Sequence, residues 1–415
     1  MFQGLSLDQA PPYNIPLRFY ITGSLYLVLF GIVVLFFGLH VNSRHDYEAI
    51  AITHILTLGF FSHIMIGSMF QMIPVMLGLA YEDVVKRSNI IYILLNVGII
   101  AFVLGFFLVK IPLIHIGGSA LALGILFFGV ISLQTVLKSV EKDFLVKNFL
   151  SAFGSLFVGA VFGFLAVLGQ SGVVDAVMYG DIHMTLMLFG WIFLLINAVS
   201  YKIIPMFFVA NEFPSFLKNY LYLSMIVSLV LFTSGRLSEN IFLYESASWM
   251  LVLGVVVFAL YTVLILRKRK RARRDISIDL WYFSMANIII ASILSLYGDM
   301  YQLIAFFTLF GGAYALINAM LYKIVPFLTW FHLSSNMVFD AEMSEVIKKK
   351  QMMLQVRFYF TSYILYLGSF FFGFLFIPAS LAFVISSVVL MKNIFDGSKY
   401  YQEYIVKKVD MSNFS

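Results

Sequence analysis

The chain has 415 residues, of which 61% are hydrophobic and 12% are charged, and its formal net charge is +6. Soluble domains carry about 25% charged residues, so this composition excludes a water-soluble globule. The absence of cysteine excludes disulfides, thiolate metal ligands and thiol catalysis.

Apolar stretches long enough to cross ~30 Å of hydrocarbon follow one another along almost the whole chain. The first begins at Arg18, after a short polar segment that does not resemble a cleavable signal peptide. We therefore predict an all-α polytopic membrane protein with twelve transmembrane helices. The predicted spans are 18–40, 48–79, 88–109, 112–138, 146–169, 181–209, 216–235, 241–266, 277–297, 300–329, 354–375 and 376–396. The longest gap, about 330–353, is predicted to form a short surface helix.

Basic residues are distributed unequally between the two sides of the predicted bundle. The side of the N-terminus receives most of them, including RKRKRARR at 267–274 and the lysines at 348–350. The other side receives only Arg44, Lys110 and Arg236. The positive-inside rule predicts cytoplasmic N- and C-termini, in a bacterial-type inner (plasma) membrane. The basic run is then expected to contact anionic lipid headgroups rather than nucleic acid.

One segment occurs twice in nearly the same spelling, LLINAVSYKIIP at 194–205 and ALINAMLYKIVP at 315–326. A weaker copy, MIGSMFQMIP, lies at 65–74. Aligning the three prolines also aligns a glycine fifteen residues before each of them. These glycines are Gly59, Gly190 and Gly311. Because the copies lie in predicted spans 2, 6 and 10, the repeat has a period of four helices.

An even number of spans per unit gives every copy the same orientation, which is a parallel repeat. We predict a single membrane domain of three parallel four-helix units with pseudo-threefold symmetry. The predicted units are approximately 18–138, 146–266 and 277–396. Small and amide residues on the repeated helices favour close, hydrogen-bonded packing. They include Gly67, Asn197 and Asn318.

Histidine is the residue type that suggests a function. Ionisable groups inside spans are costly and usually face a cavity or a partner. Neutral imidazole is the commonest metal ligand in proteins, and it also ligates haem iron. The candidate cofactor-binding residues are His54, His63, His115 and His183. Of these, His54 and His183 are the candidate metal ligands.

Simple α-helical geometry separates two of these histidines. His54 and His63 are nine residues apart, which at 100° per residue places them on opposite faces and roughly 13 Å apart along the axis. Histidines at span ends also suit interfacial hydrogen bonding without a cofactor. Asp181, two residues before His183, is either a carboxylate favoured by the helix dipole or one that orients an imidazole.

The spans, repeats and histidines together resemble the catalytic subunit of the haem–copper oxidase superfamily, which includes the large subunit of nitric oxide reductase. The segments THILTLGF at 53–60, GWIFLLINAVSYKIIPMF at 190–207 and MLYKIVPFLTWFHL at 320–333 also resemble oxidase subunit I-like and NnrS-like haem membrane proteins. The resemblance implies one or two b-type haems. It implies that His54 occupies the position of a low-spin haem ligand and that His183 lies on the helix that supplies a copper ligand.

The full ligand set of the family does not carry over to this sequence. Predicted span 7, NYLYLSMIVSLVLF, lacks the adjacent histidine pair for copper, and predicted span 10 lacks the haem-binding histidines. Met187 stands four residues after His183, where the family pattern has tyrosine. We therefore expect no haem–copper reduction of oxygen, and copper stays an open alternative cofactor.

We expect a haem-binding inner-membrane protein that acts in electron transfer, in the response to nitric oxide or oxygen, or in haem or copper handling. Its expected partners are the lipid bilayer and an electron-donor protein or a partner oxidase or reductase, with no nucleic acid. Two alternatives stay open. One is a cofactor-free proton-coupled membrane transporter, and the other is an assembly subunit whose histidines are remnants.

Overall fold

The computed structural model describes residues 6, 9–38, 43–270, 275–298 and 300–406. Within these residues every regular element is a helix, and eleven helices are long and apolar enough to cross a membrane. A further helix, α11, brings the number of long helices described to twelve. The prediction of an all-α multi-pass membrane protein is confirmed. The helices are α1 (Asn14–Phe37), α2 (Tyr47–Leu77), α3 (Val84–Phe107), α4 (Ile111–Leu137), α5 (Phe144–Gly169), α6 (Ala176–Phe208), α7 (Leu217–Leu237), α8 (Ile241–Arg267), α9 (Ile276–Tyr297), α10 (Tyr301–Ser335), α11 (Lys349–Ser369) and α12 (Gly373–Ile405).

Two helices continue beyond their predicted ends. Helix α10 reaches Ser335 instead of 329, and α12 reaches Ile405 instead of 396. The extensions are stabilised by apolar contacts outside the hydrocarbon-length run, where the side chains of the α12 end pack against a small buried cluster. The cluster is Leu333, Val338 and Ala341, and the side chains packed on it are Tyr400, Tyr401, Tyr404 and Ile405.

The segment between α10 and α11 is a packed loop. The prediction of a short surface helix in the gap 330–353 is wrong, because residues 336–348 contain turns and no helix. Val346 and Ile347 are buried there, and the Glu342 backbone N–H donates to the Tyr400 hydroxyl at 3.2 Å. The apolar residues of this segment are therefore held by contacts with the rest of the chain.

The three helices that carry the repeated segment share an unusual backbone. Each contains a π-helical stretch, at Ile55–Ser62 in α2, Leu186–Phe193 in α6 and Phe306–Tyr314 in α10. A π-helix closes i→i+5 hydrogen bonds, and most natural examples are single-turn bulges, frequently at functional sites. Stretches of eight or nine residues at matching places in three helices are therefore a specific feature of this fold.

An interior proline follows each π-helical stretch. Pro74, Pro205 and Pro326 lie inside the α-helical second halves of α2, α6 and α10. A proline removes one i→i−4 hydrogen bond and crowds the preceding turn. Each repeated helix therefore departs from regular α-geometry twice, once in a π-helical stretch and once at a proline.

The repeated glycines lie where the preceding helix leaves no room for a side chain. Glycine allows two backbones to approach closely, as is typical of membrane helix packing. An ideal Cβ would lie 2.8 Å from Tyr26 at Gly59, and it would overlap Ser155 at Gly190 and Asn287 at Gly311. Helices α2, α6 and α10 thus pack on α1, α5 and α9 through the same repeated residue. The pseudo-threefold symmetry and the boundaries of the three units stay predictions.

Contacts divide the chain into two compact units. One contains 76–315, where α4 packs on α3 and α5, α6 packs on α5, and α8 packs on α7 and α9. The other contains 6–75 and 316–415, where α1 packs on α2 and α12, and α11 packs on α12. Both boundaries fall inside a helix, α2 or α10, so neither lies in a linker.

Candidate functional site

His54 is the last α-helical residue of α2 before the π-helical stretch. Its side chain is half-buried, and its Nδ1 lies 2.7 Å from the carbonyl oxygen of Ile50, one turn earlier. A carbonyl oxygen can only accept a hydrogen bond, so Nδ1 carries the proton. Nε2 then has the lone pair with which a neutral imidazole ligates a metal.

His63 directly follows the same π-helical stretch and is 0% exposed. Its Nδ1 lies 2.9 Å from the carbonyl oxygen of Leu58, which gives it the same tautomer as His54. The rings of Phe19 and Tyr26, both on α1, lie 5.9 Å and 5.3 Å from the imidazole, measured between centroids. His63 is therefore part of the aromatic packing between α1 and α2.

The predicted separation of His54 and His63 rested on regular α-helical rotation. The intervening residues, Ile55–Ser62, form the π-helical stretch of α2. A π-helix turns by less than 100° per residue because its rings close one residue later than those of an α-helix. The prediction that the two histidines lie on opposite faces assumed a regular α-helix between them, and this assumption is wrong.

His183 lies in α6, three residues before its π-helical stretch. Its Nδ1 lies 2.8 Å from the carbonyl oxygen of Gly159 in the middle of α5. Because a carbonyl oxygen can only accept, Nδ1 of His183 carries the proton and Nε2 has the lone pair. Because the acceptor belongs to a neighbouring helix, the contact between α5 and α6 fixes the orientation of this ring.

Two further histidines use Nε2 for contacts with protein. The Nε2 of His115 lies 2.9 Å from the Ser171 hydroxyl, just after the end of α5. The Nε2 of His332 lies 3.4 Å from the Gln71 amide oxygen, an acceptor, so this nitrogen is protonated. In this arrangement Nε2 of His332 has no lone pair to offer a metal.

The histidines are distributed over both compact units. His54 and His63 belong to one unit, and His115 and His183 belong to the other. Within the latter unit, His183 bonds to Gly159 in the middle of α5, and His115 bonds to Ser171, twelve residues later and just beyond the end of α5. His115 and His183 therefore bond to different parts of this segment.

Asp181 is tied to a cation on the next helix. The guanidinium of Arg236 in α7 donates to the Asp181 carboxylate at 2.8 Å, and both side chains are mostly buried. The same guanidinium lies 5.2 Å from the centroid of the Tyr244 ring, a cation–π contact. The sequence suggested that Asp181 orients the imidazole of His183. In the structure, the Gly159 carbonyl accepts the hydrogen bond from His183 Nδ1 and orients the ring.

Among the described residues there is no group of three or more His, Cys, Asp or Glu side chains that could hold a metal ion. A haem needs fewer protein donors, because the porphyrin itself supplies four nitrogens and the protein supplies axial ligands. His45 is exposed in the loop before α2, whereas His40 and Asp299 lie outside the described residues.

Sequence reasoning missed one buried polar cluster. Asn318 was predicted to favour hydrogen-bonded packing, but the cluster that it forms with α11 and α12 was not identified. Asn318 donates to Gln355 on α11, and Gln355 in turn bonds to Ser386 on α12; both of these side chains are 0% exposed. The available signal was an amide or hydroxyl side chain within each of the three predicted spans.

A scan against models of known protein families finds no match, and no curated protein matches this chain either.

Proposed function

We propose that this chain is a haem-binding multi-pass membrane protein in which His54 and His183 would each ligate the iron of b-type haem. The observation that carries the proposal is the tautomer of these imidazoles. Each holds its Nδ1 proton on a backbone carbonyl, at 2.7 Å for His54 and 2.8 Å for His183, and so carries the Nε2 lone pair that iron requires.

Location in the fold further supports these two residues. Both precede a π-helical stretch in a helix that carries the repeated segment. Functional sites occur frequently next to such stretches, where the backbone departs from the α-helix. His115 is left out of the proposed ligands because its Nε2 contacts Ser171. His63 is left out because its ring is enclosed by Phe19 and Tyr26.

Bound haem supplies one-electron transfer or the binding of a diatomic gas such as nitric oxide. The residues of this chain orient the proposed ligands, since α5 fixes the ring of His183 through Gly159. The proposal does not include copper, because the described residues offer no group of three metal-binding side chains. We further propose cytoplasmic termini in a bacterial-type inner membrane, from the distribution of lysine and arginine.

A transporter without cofactor is the competing function. The Asp181–Arg236 ion pair, between α6 and α7, favours it, because charged pairs inside membrane domains often mark ion or proton pathways. The two functions differ in one property that is simple to measure: a haem protein absorbs visible light and a cofactor-free transporter does not.

The test is to express the full chain in bacteria supplied with a haem precursor, purify it in detergent and measure haem per polypeptide as the pyridine haemochrome. We expect His54→Ala and His183→Ala each to lose most of the haem. His45→Ala, at an exposed loop position, and His115→Ala are the matched controls and should keep it.

Two results would contradict the proposal in different ways. Wild-type protein that is folded and colourless would exclude haem binding. If the wild-type protein contains haem and both His54→Ala and His183→Ala keep the same amount, haem binding would be supported. The assignment of His54 and His183 as its ligands would be contradicted.

A further inference from the structure

Three helices of one compact unit share a buried hydrogen-bond network. Its side chains come from α10, α11 and α12, and none is more than 4% exposed. The members are Asn318 and Tyr322 of α10, Gln355 of α11, and Ser386 and Asn393 of α12. Asn318 and Tyr322 belong to the repeated INA-x-x-YK sequence. The haem proposal gives these two residues no role, and the structure shows that they form hydrogen bonds with α11 and α12.

The orientation of the Gln355 amide follows from a single hydroxyl. The Ser386 hydroxyl lies 3.1 Å from the backbone carbonyl oxygen of Gln355, which can only accept, so Ser386 donates its one hydrogen there. The Ser386 oxygen must then accept from Gln355 Nε2, at 2.9 Å. The Gln355 amide nitrogen therefore faces α12, and its Oε1 faces α10.

This orientation propagates through the rest of the network. Gln355 Oε1 accepts from Asn318 Nδ2 at 3.1 Å and from the Tyr322 hydroxyl at 2.9 Å. Since the only hydroxyl hydrogen of Tyr322 is used, its oxygen accepts from Asn393 Nδ2 at 3.1 Å. Both asparagines thus direct their nitrogens into the network, and their oxygens take no part in it.

The two asparagine oxygens are the unsatisfied ends of the network. Asn318 Oδ1 and Asn393 Oδ1 are buried and receive no hydrogen bond from any residue that the structure describes. A buried acceptor without a donor destabilises a fold, so each oxygen favours binding of a small molecule that donates a hydrogen bond to it. We propose that each of these oxygens accepts a hydrogen bond from internal water between α10, α11 and α12.

The charge of the site selects water over a cation. All five side chains of the network are neutral amides or hydroxyls, with no carboxylate among them. A monovalent cation in a low-dielectric interior needs compensating charge or many oxygen ligands. Water is neutral, donates two hydrogen bonds, and is the usual partner of buried polar groups that protein atoms leave unsatisfied.

The related segment of α6 also buries an asparagine, Asn197, at the position of Asn318, but its tyrosine makes a different contact. Tyr201 stands where α10 has Tyr322, but its hydroxyl donates at 3.0 Å to the backbone carbonyl of Leu217, at the start of α7. Gln355 and Asn393, which complete the network around Tyr322, come from α11 and α12. The network that orients these amides is therefore found at the third copy of the repeat.

X-ray hydroxyl-radical footprinting of the purified full chain tests the site, because a buried side chain is oxidised only when radiolysed water lies beside it. Tyr322 is 4% exposed and Tyr314 of the same helix is 0% exposed, so Tyr314 is the internal control. We expect Tyr322 to be oxidised several-fold faster than Tyr314. Equal protection of both tyrosines would overturn the proposal.

A variant and a salt titration complete the test. Asn393→Leu removes one of the two oxygens and should lower Tyr322 oxidation several-fold. Ser387→Ala is the matched control, because the Ser387 hydroxyl donates to Phe383 within α12 and not to the network. The melting temperature should be the same in sodium, potassium and choline chloride at equal ionic strength. A saturable stabilisation by sodium alone would identify a cation site and overturn the assignment to water.

Discussion

Helices α6 and α10 carry nearly the same twelve residues, yet the structure surrounds them differently. Both contain a π-helical stretch, an interior proline and a glycine in close contact with the preceding helix. In α6, His183 bonds to α5 and Tyr201 bonds to the chain at the start of α7. In α10, the tyrosine and asparagine of the motif form the network with α11 and α12.

The comparison distinguishes the features that all repeated helices share from the side chains that differ between them. The glycine, the π-helical stretch and the proline recur, so they serve packing and backbone geometry in each repeated helix. Imidazole occurs before or beside the π-helical stretch in α2 and α6, but α10 has none there. A repeat of this kind allows side-chain chemistry to change in one copy while the helix contacts are kept.

The largest expected effect concerns the shared scaffold. Gly311→Ala and Gly190→Ala should each lower the free energy of unfolding by about 1–3 kcal/mol, because a Cβ would overlap Asn287 or Ser155. Thermal unfolding in detergent measures it. Gly154→Ala is the control, since its Cβ would meet no described atom within 4 Å. Equal melting temperatures for Gly190→Ala and Gly154→Ala would contradict the common packing role.

The next effect separates the two tyrosines. Tyr322→Phe removes two hydrogen bonds of a buried network and should destabilise by about 2 kcal/mol. Tyr201→Phe removes the bond to one backbone carbonyl and should cost about 1 kcal/mol. Denaturation of both variants under the same conditions tests the ranking. A larger loss for Tyr201→Phe would show that the network around Tyr322 is not formed as described.

A smaller stability effect with a clear spectral consequence is expected at Gly163. An ideal Cβ at this position would lie 2.6 Å from Nδ1 of His183, so Gly163→Ala must displace the imidazole. A side chain can shift more easily than backbone, and the loss of stability should stay below about 1 kcal/mol. The absorption and electron paramagnetic resonance spectra of bound haem should change, whereas Gly154→Ala should leave them as in wild type. Identical spectra for all three proteins would contradict a ligand role for His183.

The smallest effect is expected in a loop outside the spans. The carboxylate of Glu82, between α2 and α3, accepts a hydrogen bond from Lys138, and the charges of Lys138 and Arg87 add to it, so the pKa of Glu82 is lowered. A depressed folded-state pKa contributes stability above the unfolded-state value, and this contribution is lost as pH falls through the folded value.

Glu82→Gln should therefore lower the melting temperature slightly at neutral pH, and the difference should vanish in acid, where the wild-type carboxylate is protonated. The pair is exposed to solvent, so the change should be smaller than for any substitution above. A difference that grows as the pH is lowered would contradict the sign of this pKa shift.

Much of the fold could be predicted because apolar runs of span length are a strong signal. The glycines also carried information: Gly67, predicted to favour close packing, would place a Cβ 2.7 Å from the side chain of Phe19. The π-helical stretches could not be predicted, because residues such as ILTLGFFS satisfy α-helical and π-helical backbones alike in an apolar setting.

The remaining features depend on which side chains of different helices meet. No pattern in the sequence pairs His183 with the carbonyl of Gly159, since backbone acceptors are the same at every residue. The partner of Asn318 is a glutamine 37 positions away, near the start of α11. The gap 330–353 was predicted to form a short surface helix, but residues 336–348 form a loop that contacts α12.

The central claim is that His54 and His183 hold haem, and a dithionite-reduced minus oxidised absorption spectrum of the purified full chain tests it most directly. The account predicts a Soret band and a sharp α-band in the wild type, with both bands lost in the His54→Ala, His183→Ala double variant. A wild-type spectrum without these bands, from folded protein made under haem-replete conditions, would contradict it.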